Sequence, residues 1–140
     1  MRMLPASALA LCLMLTGCAS PIPRSPNIDA AEAACVDGDS PGIGQRDAGT
    51  RATVSIVGFD GVPTAGSGPF CVRPGAHRLT ITLRHGDFTG TVQITAALEA
   101  FGKYRFEARL HEQAFELRWM DIGPALHFEL ARYTVPFRDQ

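Results

Sequence analysis

Between Arg78 and Arg84 the side chains alternate without a break, with Leu79, Ile81 and Leu83 on one side and Arg78, Thr80, Thr82 and Arg84 on the other. Successive residues of a β-strand point to opposite faces, so a run with this period buries its apolar set only as a strand. One face is dry and the other wet, the pattern of an antiparallel sheet packed on one side. A single strand also leaves both hydrogen-bonding edges open, so it needs neighbours of the same kind.

Such neighbours are present. Ala52, Val54 and Ile56 alternate with Thr53 and Ser55 and lead to the turn pair Asp60-Gly61, and Phe70-Cys71-Val72 precedes a second turn pair, Pro74-Gly75. Val92, Ile94 and Ala96 repeat the pattern within Thr91 to Ala97. After Phe101-Gly102-Lys103, Tyr104, Phe106, Ala108 and Leu110 alternate with Arg105, Glu107 and Arg109, then Phe115, Leu117 and Trp119 with Glu116 and Arg118. Leu126-Phe128-Leu130 and Tyr133 to Phe137 read as the last strands. About seven short strands at this spacing predict an all-β fold, a small antiparallel β-sandwich. Leu98 to Phe101 offers one helical turn at most, ended by Gly102, and no three-turn amphipathic helix competes.

The start of the chain has a different character. Arg2 precedes an apolar run from Leu4 to Leu15, the layout of a secretory signal, and the run is short of the ~20 apolar residues that span a bilayer. It ends in Leu15-Thr16-Gly17-Cys18, which resembles the lipobox of bacterial lipoproteins. That resemblance implies removal of residues 1–17 and attachment of a diacylglyceryl group and an N-acyl chain to Cys18, enough for stable membrane anchoring. Ala19 and Ser20 follow, with no acidic residue to act as an inner-membrane retention cue. The implied address is the cell envelope, at the outer membrane facing the periplasm. Pro21, Pro23 and Pro26 then make the next stretch an extended tether. Asn27 or Asp29 can cap a short helical turn over Ala30 to Ala34, and Asp37 to Gly49 reads as a loop. The expected division is signal peptide 1–17, lipid-anchored tether 18–34 and β-sandwich domain 35–140.

Processing also settles the cysteines. On the lipobox resemblance, of the four Cys12 would leave with the signal and Cys18 would be acylated, so Cys35 and Cys71 remain as an even pair in an oxidising compartment, best read as a disulfide. A metal or redox role lacks a CxxC pair or a histidine at ligand spacing. With Arg2 removed the net charge moves from −1 to −2, which gives no reason to expect nucleic acid as a partner.

From Thr53 to Ala108 the turns follow a recurring surface-lipoprotein pattern, carried by Val54-Ser55-Ile56 with Asp60-Gly61, by Arg73-Pro74-Gly75-Ala76-His77-Arg78-Leu79, and by Gly102-Lys103-Tyr104. It is similar to PEGA-type and related lipoprotein domains, small β-sandwiches of the prealbumin or immunoglobulin style. The resemblance implies a fold and a compartment, not an activity. The Cys35 and Cys71 pair departs from the usual pattern.

No catalytic set is recognisable by spacing. His111-Glu112 begins like HExxH, but Phe115 stands at the second histidine position, and Gly66-Ser67-Gly68 lacks the glycine that a nucleophile elbow needs two residues before its serine. Gly42-Ile43-Gly44 lacks the third glycine and following helix of a phosphate-binding loop. No metal ligands and no cofactor are expected. His77 follows a Pro-Gly turn on the apolar side of its strand, where it can hydrogen-bond a turn carbonyl or contact a ligand. Tyr104 and Trp119 fall on apolar faces and read as core packing in preference to a sugar-stacking platform. Arg78, Arg84, Arg105, Arg109 and Arg118 lie on polar faces with Glu107 and Glu116 among them, and read either as cross-strand ion pairs or as a patch for an anionic ligand. The expected function is a lipid-anchored, non-catalytic envelope module that binds or braces an envelope protein or an anionic polymer through His77, Arg78 and Arg84. An envelope enzyme acting on glycan or peptide is the alternative.

Overall fold

The computed structural model describes residues 32–41 and 49–138, and among these there is no helix. The expected signal, Cys18, most of the expected tether and Gly42-Ile43-Gly44 lie outside the described residues. Nine strands follow in order: β1 (Ala34–Gly38), β2 (Arg51–Phe59), β3 (Val62–Pro63), β4 (Phe70–Val72), β5 (Gly75–His85), β6 (Phe88–Leu98), β7 (Lys103–His111), β8 (Ala114–Asp121) and β9 (Phe128–Pro136). The fold is all-β, as the alternation requires.

The strands form two layers. One runs β4-β1-β7-β8-β9 and the other β3-β2-β5-β6, joined where β2 crosses from the first layer to the second. At that corner Arg51 and Ala52 pair with Arg109 and Ala108 of β7, before β2 turns to pair with β5 from Thr53 onward. The layers approach again where Arg138 N–H donates to the Thr89 carbonyl at 2.7 Å, beside the small Gly90. β6 and β9 make no ladder, so the sandwich is not closed.

The core lies between the layers. Val54, Ile56, Leu79, Ile81, Leu83, Phe106, Phe115 and Leu117 are all fully buried, with Tyr104, Ile94 and Val135 nearly so. Each sits at the inward phase of its strand, so the period-two reading places the core directly. Trp119 packs against it, its ring stacked 6.2 Å from that of Phe106 at 17°.

Three differences from the sequence reading have physical causes. Asp37 and Gly38, read as loop, belong to β1, which pairs parallel to β7 and antiparallel to β4. Gly38 sits where β2 crosses, and a Cβ there would overlap the Val54 carbonyl. Asp39 follows as the one buried charged residue of the described fold. Its backbone bonds Phe106 and Val54 at 2.8 Å each, and its carboxylate accepts from Arg51, as a buried charge requires. The third difference is at the end of the chain. The two segments read as final strands are a single strand, β9, preceded by Leu126 in the loop; its pairing steps from Trp119↔Ala131 to Met120↔Glu129, leaving Leu130 unmatched in a bulge.

The topology gives the sandwich two ends. At one lie the starts of β1, β5, β7 and β9, with the turns β2–β3 and β6–β7 and the loop β8–β9. At the other lie the turns β5–β6 and β7–β8 and the end of β9.

Candidate functional site

The outer faces of the two layers differ in charge. β2, β5 and β6 contain no Asp or Glu. Every carboxylate within a strand is on β1, β7, β8 or β9, and there most of the arginines are engaged. Arg105 forks onto Asp37 at 3.0 and 3.1 Å. Arg118 donates to Glu107 at 3.0 Å, and Arg132 to Glu129 at 2.7 and 2.9 Å, with Glu116 at 3.5 Å. The Asp37 contact holds the Arg105 guanidinium above its ordinary pKa, against its partial burial. This face is internally neutralised.

The outer face of β5 and β6 is not. The ladder sets Arg78 opposite Thr95, Thr80 opposite Gln93, Thr82 opposite Thr91 and Arg84 opposite Thr89, and Ser55 and Thr53 extend the rows on β2 beside Thr82 and Arg84. Two arginines thus bracket a flat field of hydroxyl and amide groups. Six residue steps along the strand separate them, about 20 Å. Among the described residues neither guanidinium forms an ion pair, although Arg84 Nε reaches the Gly86 carbonyl at 3.4 Å.

His77 stands apart from Arg84, beside Arg78 at one end of β5. Its Nδ1 lies 2.6 Å from Asp60 Oδ2 and its Nε2 2.6 Å from the Arg73 carbonyl, while Phe59 meets the ring edge-on at 5.3 Å. Both ring nitrogens face oxygen acceptors. With both contacts in place neither nitrogen is open to a substrate. The imidazole instead ties the β2–β3 turn to the β4–β5 turn. Asp60, in left-handed conformation at φ 51, completes the tie by accepting from Arg78 N–H at 2.8 Å. Asp60, Gly61, Ala76, His77, Arg78 and Thr95 line a shallow hollow of about 390 Å³, so the field of hydroxyls ends in a recess with Arg78 at its rim.

The Asp60 carboxyl is raised by burial, but the His77 hydrogen bond, the Arg78 N–H and the charges of both residues outweigh this and hold it below its ordinary 3.8. A carboxyl depressed in the folded state adds stability above its unfolded pKa, and that stability is lost as pH falls through the folded value. The advantage of wild type over Asp60→Asn in urea midpoint should therefore shrink between about pH 5 and about pH 3. It should be small throughout, because half the side chain is in solvent. An advantage unchanged across that range would show that the contact is not ionic.

Cys35 and Cys71 are joined, facing each other across β1 and β4. Tyr104 is buried and its hydroxyl accepts from Glu99 N–H at 2.9 Å. Sequence reasoning missed Asp60 as the partner of His77, because the two are separated by 17 residues and only the fold brings their turns together. It also missed the apolar cleft of about 370 Å³ lined by Phe59, Val62, Pro69, Phe70 and Val72. Among the described residues the buried indole N–H of Trp119 has no hydrogen-bond partner. No group of three potential metal ligands occurs among the described residues. Comparison of the chain with known protein families, curated proteins and solved structures gives no match, so the reading of function rests on this geometry and on the sequence.

Proposed function

We propose that the protein is a lipid-anchored module of the cell envelope that captures an anionic polymer on the outer face of β5 and β6. The anchor is Cys18, at the end of the lipobox-like Leu15-Thr16-Gly17-Cys18. The observation that carries the binding reading is the contrast between the faces: carboxylates absorb arginines on one, whereas the other presents Arg84 and Arg78 among hydroxyls with no carboxylate on its strands, Asp60 of the β2–β3 turn lying beside Arg78 alone. Threonine, serine and glutamine side chains both donate and accept hydrogen bonds, which suits a hydroxylated, acid-bearing chain lying across a flat sheet. The anchor holds the module at high local concentration beside envelope polymers, so a modest intrinsic affinity suffices.

The test is retention of the full chain, in detergent, on beads carrying polygalacturonate or dextran sulfate, with neutral dextran as control. Wild type should be retained on the acidic polymers and released by salt, because exposed charge contacts are screened. Arg78→Glu combined with Arg84→Glu should weaken retention about tenfold, equivalent to about 1.4 kcal/mol, with an unchanged circular dichroism spectrum. Retention unaffected by the double reversal, or turnover of a glycan or peptide by the purified protein, would overturn the proposal.

A further inference from the structure

The described fold exposes six large apolar side chains, and they are unevenly placed. Phe101 is 68% exposed, Leu126 63%, Phe128 54% and Leu130 46%, with Val62 at 42%. All five belong to the β6–β7 turn, the β8–β9 loop, the start of β9 or the β2–β3 hairpin, at one end of the sandwich. The sixth, Phe88, is at the opposite end and packs on Phe137 with ring centres 4.7 Å apart.

This is also the end at which the N-terminal segment joins the domain. β1 starts there, and Cys35 N–H donates to the Gly102 carbonyl at 2.9 Å, one residue from Phe101. Fifteen residues lie between Cys18 and Ala34, a span of at most about 55 Å. Phe101 also adopts φ 63, a conformation unfavourable for a bulky side chain, with its ring largely in water. The φ belongs to the turn that Gly102 N–H closes by donating to the Glu99 carbonyl at 3.0 Å, whereas the exposed ring adds nothing to the core. Arg73 and Lys103 lie at the same end, and among the described residues neither forms an ion pair.

We infer that this end is a docking foot for a phospholipid bilayer, with Phe101, Leu126 and Phe128 entering the interface and Arg73 and Lys103 meeting phosphate groups. The inference rests on the lipid-anchor reading, since an anchor at Cys18 presents this end to the membrane. Apolar rings seated at the boundary between headgroups and acyl chains, flanked by cations, are the usual chemistry of an interfacial contact. Docking would hold the strands of the sandwich along the membrane normal and leave the β5 and β6 face accessible from the side.

The experiment uses the full chain isolated from membranes and reconstituted in vesicles of phosphatidylethanolamine and phosphatidylglycerol with brominated acyl chains, which quench tryptophan on contact. Trp119 is the only native tryptophan and supplies the baseline. Phe101→Trp and Leu126→Trp should each add emission that bromine quenches roughly twofold, the depth expected of an interfacial ring, whereas emission added by Phe88→Trp should not be quenched. Equal quenching at all three positions, or none at 101 and 126, would overturn the foot. So would dimerisation in detergent that Leu126→Ser abolishes, which would assign the apolar end to a second copy of the chain. The mass of the N-terminal peptide reports acylation separately. An acylated chain without quenching at 101 and 126 sinks the foot and keeps the anchor. An unacylated chain with the quenching pattern sinks the anchor and keeps the foot, and an unacylated chain without it sinks both.

Discussion

Ile81→Asp is expected to leave the domain unfolded, and Thr82→Asp, one residue further on, to leave it folded. Ile81 is fully buried at the middle of β5, facing Ile56 of β2 on one side and Val92 of β6 on the other. Removing a buried isoleucine side chain costs about 2–5 kcal/mol, and a carboxylate left there without a partner adds several more. A domain of this size has about 5–15 kcal/mol in all. Thr82 occupies the outer face between Ser55 and Thr91, where aspartate meets water and has Arg84 two residues away on the same side. Far-UV circular dichroism and urea titration separate the outcomes: no cooperative transition for Ile81→Asp, and a midpoint within about 0.5 kcal/mol of wild type for Thr82→Asp. Equal tolerance of the two changes would mean that the register is wrong.

That contrast also measures how far the sequence carries. Where a strand alternates large apolar and polar residues, as in β5, β7 and β8, both its existence and its inward face were legible, because the period alone fixes which side chains meet the core. β1 was not legible. Ala-Cys-Val-Asp-Gly holds one large aliphatic residue and two turn formers, and what makes it a strand is a parallel partner some 68 residues away, seen in the Arg105 and Asp37 fork. The start of β9 misled for a different reason. Leu126, Phe128 and Leu130 have the period of a buried face, but the bulge at Leu130 interrupts the phase, and inward packing is taken by Ala131, Tyr133 and Val135 instead. At the candidate site, the placement of His77 under a turn carbonyl was legible from the Pro-Gly turn. Its pairing with Asp60 and the contrast between the two outer faces were not, since both depend on which strands share a layer.

The staple between Cys35 and Cys71 carries the second large effect. Replacing both residues by serine, which leaves no odd thiol to mispair, should lower stability by about 4 kcal/mol, the chain-entropy value for a closed loop of 36 residues. The fold gives this loss a location. β1 has five residues and β4 three, and the pair at Cys35 and Cys71 lies at the centre of their three-residue ladder. Ala34 and Val36 are fully buried, but Val36 is the one aliphatic side chain of β1 larger than alanine, so little apolar area holds β1 in place once the link is gone. β7 would keep β8 and the edge of β2 and remain in the core. Hydrogen exchange should therefore rise first at residues 34–38 and 70–72, and protease should cut there in the serine variant while β5 to β8 stay protected. Reduction of the wild type should reproduce the midpoint shift, and the unreduced protein should show no alkylatable thiol at either position. A serine variant with the wild-type urea midpoint, or uniform loss of protection across all nine strands, would contradict this account, because the staple would then be either idle or a brace for the whole core rather than for β1 and β4.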